Sequence, residues 1–251
     1  MFHGAMDAPT FAAMTDYWIA HYLTLPNYYR VPDLNSTSPA RVCPLVNIYL
    51  LDALVEGLGG LAPAAAAVAA FRARAAAAGL PCVHLQADGV GARSPTGRAA
   101  LAALGIGSVT DYCWQHYQGM DVFPVTPYAA YAARALARVP ALAAEVAPLP
   151  YIPNFSVAWD PSPRTVQSDA FDNWGYPSTP VLQPTLSETR SALNSTAAWV
   201  ADNCSPAWCM LTVYAYTEFS EGGSVWPTVA DGYGRLEAFQ AVFGARTRAR
   251  E

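Results

Sequence analysis

Val213-Tyr214-Ala215-Tyr216-Thr217-Glu218-Phe219-Ser220-Glu221-Gly222-Gly223-Ser224-Val225-Trp226-Pro227 joins an apolar run to two acids and a glycine pair. The run begins upstream, at Cys209-Met210-Leu211-Thr212, and is short and rich in β-branched and aromatic residues, so it predicts a buried strand over Trp208 to Tyr216. Strand side chains alternate between faces, so Glu218 and Glu221 would point opposite ways if the strand simply continued. They share a cavity only if the chain leaves the extended conformation after Glu218. Gly222 and Gly223 supply the backbone freedom for that turn.

Outward from this stretch, strands alternate with helices. Phe11, Met14, Trp18, Ile19 and Tyr22 lie at helical spacing and predict a helix over 11–25, broken at Leu25-Pro26-Asn27. Asn35-Ser36-Thr37-Ser38-Pro39 is loop chemistry, and Val42 to Leu50 is an apolar run of strand length. Further helices are expected over Ala62 to Ala78, Thr96 to Leu104, Pro127 to Val146 with Pro140 as a kink or break, and Ser187 to Asn203. Strands are expected at Leu80 to Asp88, Ile106 to Cys113 and Tyr151 to Trp159. This alternation implies an α/β fold of parallel βαβ units. Polar residues gather at the expected strand ends: His84, Gln86 and Asp88; Asp111 and Tyr112; Asp160; Glu218 and Glu221. Such placement fits the active face of an α/β barrel, and an open doubly wound sheet would show it too.

Thr217-Glu218-Phe219-Ser220-Glu221-Gly222, followed by Pro227, Gly234 and Leu236-Glu237-Ala238, resembles the A-W-N-E-W-x-E-G segment and trailing P…G…L-E-A of glycoside hydrolase family 99 and its WbsX-like relatives. Upstream, Pro153-Asn154-Phe155-Ser156-Val157-Ala158-Trp159-Asp160-Pro161-Ser162-Pro163-Arg164 resembles the G-W-D-x-x-P-R segment of the WbsX-like group. The likeness runs from about Tyr17 to Gly244. It implies a (β/α)8 TIM-barrel-type fold, and it is the resemblance, not the periodicity, that selects the barrel. Only about five parallel strands with flanking helices are found, so residues 1–251 correspond to a single, incomplete domain lacking roughly the first three β/α units, with 245–251 as a disordered tail. Five strands leave two sheet edges, so a partner chain or a further N-terminal segment is expected to complete the barrel.

Composition narrows the classes. The 251 residues are 53% hydrophobic and 13% charged, which describes one well-buried globule and not a disordered chain. A formal net charge of -5 argues against nucleic acid, whose phosphates require clustered Lys and Arg. Arg246, Arg248 and Arg250 read as a solvated tail. No run reaches the length of a membrane span, Leu61 to Gly79 being interrupted by Arg72 and Arg74. Met1 to Thr15 lacks the basic and apolar regions of a signal peptide, so a soluble chain is expected, with the secretory pathway or an extracellular site left open.

Cys43, Cys82 and Cys113 each fall in an expected strand and read as free, buried hydrophobes. Cys204 and Cys209 would close a small loop in an oxidising compartment. Neither set has zinc-site spacing, and no phosphate-cradling glycine loop occurs, so no metal or organic cofactor is expected. Glycosylation-type tripeptides start at Asn35, Asn154 and Asn194 and do not settle the compartment.

Glycoside cleavage commonly uses one carboxylate at the sugar and a second carboxyl that protonates the departing oxygen. The resemblance makes Glu218 the base that takes the sugar's 2-hydroxyl proton and Glu221 the general acid and then base. It implies a retaining glycoside hydrolase acting on an oligosaccharide or polysaccharide of α-mannoside type. WbsX-like glycosyl transfer in polysaccharide assembly, or a non-catalytic glycan-binding remnant, are the alternatives. Taken without the resemblance, the two acids read as solvated groups beside a glycine turn more readily than as catalysts. Thr217 stands where the family has asparagine, and Tyr216 and Phe219 replace its tryptophans, so an orienting amide is lost. Tyr112, Trp114, Trp159, Asp160, Tyr216 and Trp226 are the expected substrate-binding residues, aromatic faces being suited to sugar rings, with core and rim packing the alternative for Tyr112 and Trp114 and fastening of the loop the alternative for Trp226. Asp160 would bind a sugar hydroxyl or cap its own turn and pair with Arg164, while His84 and Asp88 read as satisfied strand-end groups.

Overall fold

The computed structural model describes residues 6–33, 41–165, 180–204 and 209–247. In chain order the elements are α1 (Ala8–Trp18), continued by a π turn at Ile19–Leu23, β1 (Arg30–Pro32), β2 (Val42–Ile48), α2 (Leu51–Gly57), α3 (Leu61–Ala77), β3 (His84–Asp88), α4 (Gly89–Ala92), α5 (Pro95–Ala103) and β4 (Ser108–Thr110). There follow α6 (Tyr128–Val146), β5 (Tyr151–Ile152), β6 (Asn154–Ser156), α7 (Ser162–Thr165), α8 (Leu186–Asn203), β7 (Thr212–Tyr214), β8 (Thr217–Glu218), β9 (Gly223–Ser224) and α9 (Gly234–Thr247). They group into two compact units, one from described residues of 1–110 and 143–152, the other from those of 111–142, 153–204 and 209–251.

The first unit holds a five-stranded sheet in the order β1-β2-β3-β4-β5, antiparallel at β1 and parallel from β2 onward. This is a mixed α/β architecture consistent with part of a TIM-like barrel. Helix α3 buries Ala64, Val68, Phe71 and Ala75, a stripe at three- and four-residue spacing, while its arginines lie outside that stripe. Phe71 meets Phe11 and Trp18 of α1 edge-on, each at 6.4 Å. Burying each such large apolar side chain is worth about 2 kcal/mol. Arg72 donates to the carbonyls of Leu104 (2.7 Å) and Gly105 (2.6 Å), and Arg74 pairs with Asp16. Among the described residues no single helix is long and apolar enough to cross a membrane.

Two expectations need correction here. Cys43 and Cys82 are not free thiols: they form a disulfide, while Cys113 is buried and not disulfide-bonded. The parallel register explains the pairing, since Leu45 lies opposite His84 and stepping two residues back on both chains brings Cys43 beside Cys82. Nor is His84 at a strand's far end. It opens β3, where its Nε2 lies 2.9 Å from Ser108 Oγ at the start of β4. Burial holds the His84 imidazole down to about 4, with the Arg72 charge acting in the same direction and Asp33 opposing.

The second unit pairs β6 with β7 in parallel, Asn154 opposite Thr212 and Ser156 opposite Tyr214. The strand expected over Tyr151 to Trp159 is therefore two, separated at Pro153, which has no N–H to give a ladder. Helix α8 starts at a capping box, Thr185 Oγ1 accepting from Glu188 N while Glu188 accepts from Thr185 N. It buries Thr189, Ala192, Leu193, Thr196, Ala197 and Val200. Pro140 lies inside α6, which continues past it to Val146. Cys204 and Cys209 are disulfide-bonded. Asn154 is buried and donates to Thr212 Oγ1, so the tripeptide starting there serves the sheet. The tripeptide at Asn35 lies outside the described residues, as does the chain beyond Thr247, including Arg248 and Arg250.

Candidate active site

Beyond β7, where a cis Tyr214–Ala215 peptide stands, the chain makes the turn that the glycine pair predicts. Strands β8 and β9 form a hairpin with Thr217 opposite Ser224 and Glu218 opposite Gly223. Its loop is a single 3₁₀ turn, Phe219–Glu221, closed by Gly222 at φ 68°. That is the left-handed region, where only glycine is at ease. The turn sets Glu218 at the end of β8 and Glu221 at the end of the 3₁₀ segment, three residues apart.

The hairpin loop meets the second sequence motif. The Asp160 N–H donates to the Glu221 carbonyl at 2.7 Å, and a Cβ on Gly222 would come to 3.0 Å from Asp160 N and Cβ. The Asp160 carboxylate caps its own turn through Oδ1, which accepts from Ser162 N (3.1 Å), while Oδ2 accepts from Gln183 Nε2 (3.2 Å) farther along the chain. Of its two expected roles, turn capping is the one the hydrogen bonds describe.

The two acids occupy different surroundings. Glu221 is only 5% exposed, and its Oε2 accepts from the Tyr214 hydroxyl at 2.5 Å. Glu218 is half-buried and its Oε1 accepts from Ser220 Oγ at 2.8 Å. Tyr214 is buried, with the Tyr112 ring edge-on at 4.9 Å and Trp159 at 5.8 Å. Tyr112 in turn stacks on His116 at 5.6 Å. Burial, and next to it the Glu221 carboxylate, push the Tyr214 phenol well above the usual tyrosine range, so it keeps its proton and remains a donor.

Tyr112, Trp159 and Glu221 are thus gathered around Tyr214, and Asp160 joins them through the Glu221 backbone. Tyr216 and Trp226 form a separate, exposed pair, their rings 5.3 Å apart and their backbones joined where Trp226 N donates to Tyr216 O. Phe219, at the tip between the acids, is also exposed. Trp114 departs from expectation. It has no exposed surface, packs among Tyr128, Tyr131 and Phe155, and donates its indole N–H to Asn154 O at 2.8 Å, so it is core and presents no face to a sugar. Sequence reading missed Tyr214, which hides in an apolar run; its signal is a polar-tipped aromatic at the end of a strand that carries acids just beyond. It also missed Gly223 as a contact point and Gln183, for which the sequence holds no signal.

In the first unit a cavity of about 310 Å³ is bounded by apolar residues including Phe11, Trp18, Leu54, Phe71 and Leu85. It contains no acid, so its shape says little about carboxylate chemistry. Among the described residues Asp33, Cys43 and Cys82 bring one ligand atom each within 4.8 Å of one another, but both sulfurs are committed to the disulfide and offer no thiolate.

No protein-family model matches this chain, and no curated protein matches it. Among solved structures it is similar to a glycoside hydrolase-like protein, with a TM-score of 0.57 at 14% identity, over 94% of this chain. At that identity the likeness concerns the fold alone. The chain spans 60% of the length of that protein.

Proposed function

We propose that this chain is a glycan-active enzyme of glycoside hydrolase type whose reacting acids are Glu218 and Glu221. The observation that carries this reading is the junction of the two motifs, the Asp160 N–H donating to the Glu221 carbonyl, in a hairpin that carries Glu218 at the end of one strand and Glu221 in its loop. The sequence resemblance to family 99 and the glycoside hydrolase-like fold support it independently.

In this reading the substrate is an α-mannoside-type oligosaccharide or polysaccharide, cleaved with retention. Glu218 takes the proton of the sugar's 2-hydroxyl, that oxygen attacks the anomeric carbon, and the bond to the leaving oxygen breaks as Glu221 protonates it. Glu221 then deprotonates the incoming water, which opens the strained ring, and Glu218 returns its proton to the 2-oxygen. Two proton transfers by placed carboxyls contribute on the order of 10²–10⁴-fold each. Tyr112 and Trp159 would wall the buried side and Tyr216 and Trp226 the exposed side, with Asp160 fixing the loop.

One observation favours a second reading, a non-catalytic glycan-binding protein: Thr217 is exposed and carries no amide to orient Glu218 or a sugar hydroxyl. The test is product analysis on α-mannosidic glycans with and without a competing sugar acceptor. Released sugar of retained configuration supports hydrolysis, and an acceptor-linked product supports transfer by the same acids. Binding without turnover would establish the second reading and overturn the first.

A further inference from the structure

We propose that Tyr214 is the positioning residue for Glu221, and that position 223 is glycine so that the tyrosine ring can lie against the hairpin backbone. This rests on the reading of Glu221 as a reacting acid, and adds how that acid is held. A Cβ built on Gly223 would fall 2.2 Å from Tyr214 Cε1, 2.6 Å from Cζ and 2.9 Å from Cδ1. No side chain other than hydrogen fits between the two. The Tyr112 and Trp159 rings also lie against it, so it is packed by aromatics as well as by the hairpin backbone. Its hydroxyl therefore has little freedom, and it is directed at Glu221 Oε2.

The arrangement fits positioning better than filling. A buried ring that served only to fill space would be as well provided by phenylalanine, without a polar tip to satisfy. Here the tip meets a carboxylate seven positions on, in a loop whose backbone is separately fixed to Asp160. Glu221 is thus restrained at its carbonyl and at one carboxyl oxygen. Rigid placement of this kind is what an acid needs in order to deliver a proton along one direction.

Two variants test the proposal. Tyr214→Phe removes the hydroxyl and keeps the ring; Gly223→Ala keeps every functional group and displaces the ring. The first measurement needs no activity: carbodiimide coupling of glycine ethyl ester to each carboxyl, followed by peptide mass spectrometry. Tyr214→Phe is expected to raise the coupling rate at Glu221 by about tenfold, the scale of a lost hydrogen bond to a charged group, with Glu218 unchanged. Glu221→Gln in protein carrying 13Cζ-labelled tyrosine is expected to move the Tyr214 resonance, a change that a space-filling role would not produce. An unchanged Glu221 rate in Tyr214→Phe, or an unmoved Tyr214 signal, overturns the proposal. With a cleaved glycan in hand, Tyr214→Phe should lower kcat and leave KM unaltered, whereas a change in KM alone would contradict positioning. If wild type cleaves nothing while the labelling result holds, the enzymatic reading fails and the Tyr214–Glu221 assignment stands.

Discussion

Two buried polar clusters in this molecule are each seated against a glycine, and they differ in what they contain and where the chain puts them. In the first unit His84 faces Ser108, which also accepts from Gln86 Nε2 at 3.2 Å, and a Cβ on Gly107 would lie 2.4 Å from His84 Cε1. In the second unit Tyr214 holds Glu221, with Gly223 beneath the ring. The first cluster opens its strands and is made of neutral groups, since burial keeps the imidazole unprotonated at neutral pH. The second follows its strand, includes a carboxyl, and belongs to a hairpin whose Tyr216, Phe219 and Trp226 remain exposed. A closed neutral network at strand starts serves stability, while acids in loops past strand ends are what α/β enzymes use for chemistry.

The largest effect on stability should come from the cross-link in the first unit. Cys43 and Cys82 are 39 residues apart, and a loop of that length is worth about 4 kcal/mol when closed. The double variant Cys43→Ala/Cys82→Ala should lose that much in denaturant unfolding, with faster amide exchange in β2 and β3 and little change in the 217–224 hairpin. Equal loss of protection in both regions would break the distinction between them.

The paired variants Gly107→Ala and Gly223→Ala come next. Each inserts a methyl into a rigid ring and should cost about 2–3 kcal/mol, read as a shift of the unfolding midpoint. Only Gly223→Ala should also alter carboxyl labelling at Glu221. A Gly107→Ala protein with altered Glu221 labelling would erase the contrast.

The smallest expected effect is on pH dependence. The His84 pKa lies below its unfolded value, so the unfolded chain binds the extra proton and stability falls as pH drops from about 6.5 to about 4. The contribution present above that window is about 2 kcal/mol, with screening taken into account. It should disappear from the pH profile of His84→Gln. An identical profile in that variant would mean that His84 is as free to protonate folded as unfolded.

Much of the fold was legible because its period is strong. The stripes of α3 and α8 and the apolar runs of β2 and β7 announce themselves by spacing. The division of the expected Tyr151 to Trp159 strand at Pro153 into β5, paired with β4, and β6, paired with β7, depends on partners far along the chain. Short elements such as α2, α4 and β1 carry too few residues to show a period. The Cys43–Cys82 bond was hidden for a related reason: it follows from the β2–β3 register, which no local pattern states. In the candidate site, the turn after Glu218 followed directly from Gly222 and Gly223. Trp114 misled because an aromatic beside a strand end looks alike whether it lines a cavity or fills the core. Tyr214 was overlooked for the converse reason, its hydroxyl being invisible within a run that reads as apolar.

The contrast between the clusters is tested most directly by glycan cleavage, comparing wild type, Glu221→Gln and His84→Gln on one α-mannosidic substrate under identical conditions. Glu221→Gln should lower the rate by about 10³-fold, and His84→Gln should keep the wild-type rate per folded molecule. A Glu221→Gln protein that keeps the wild-type rate would contradict that contrast.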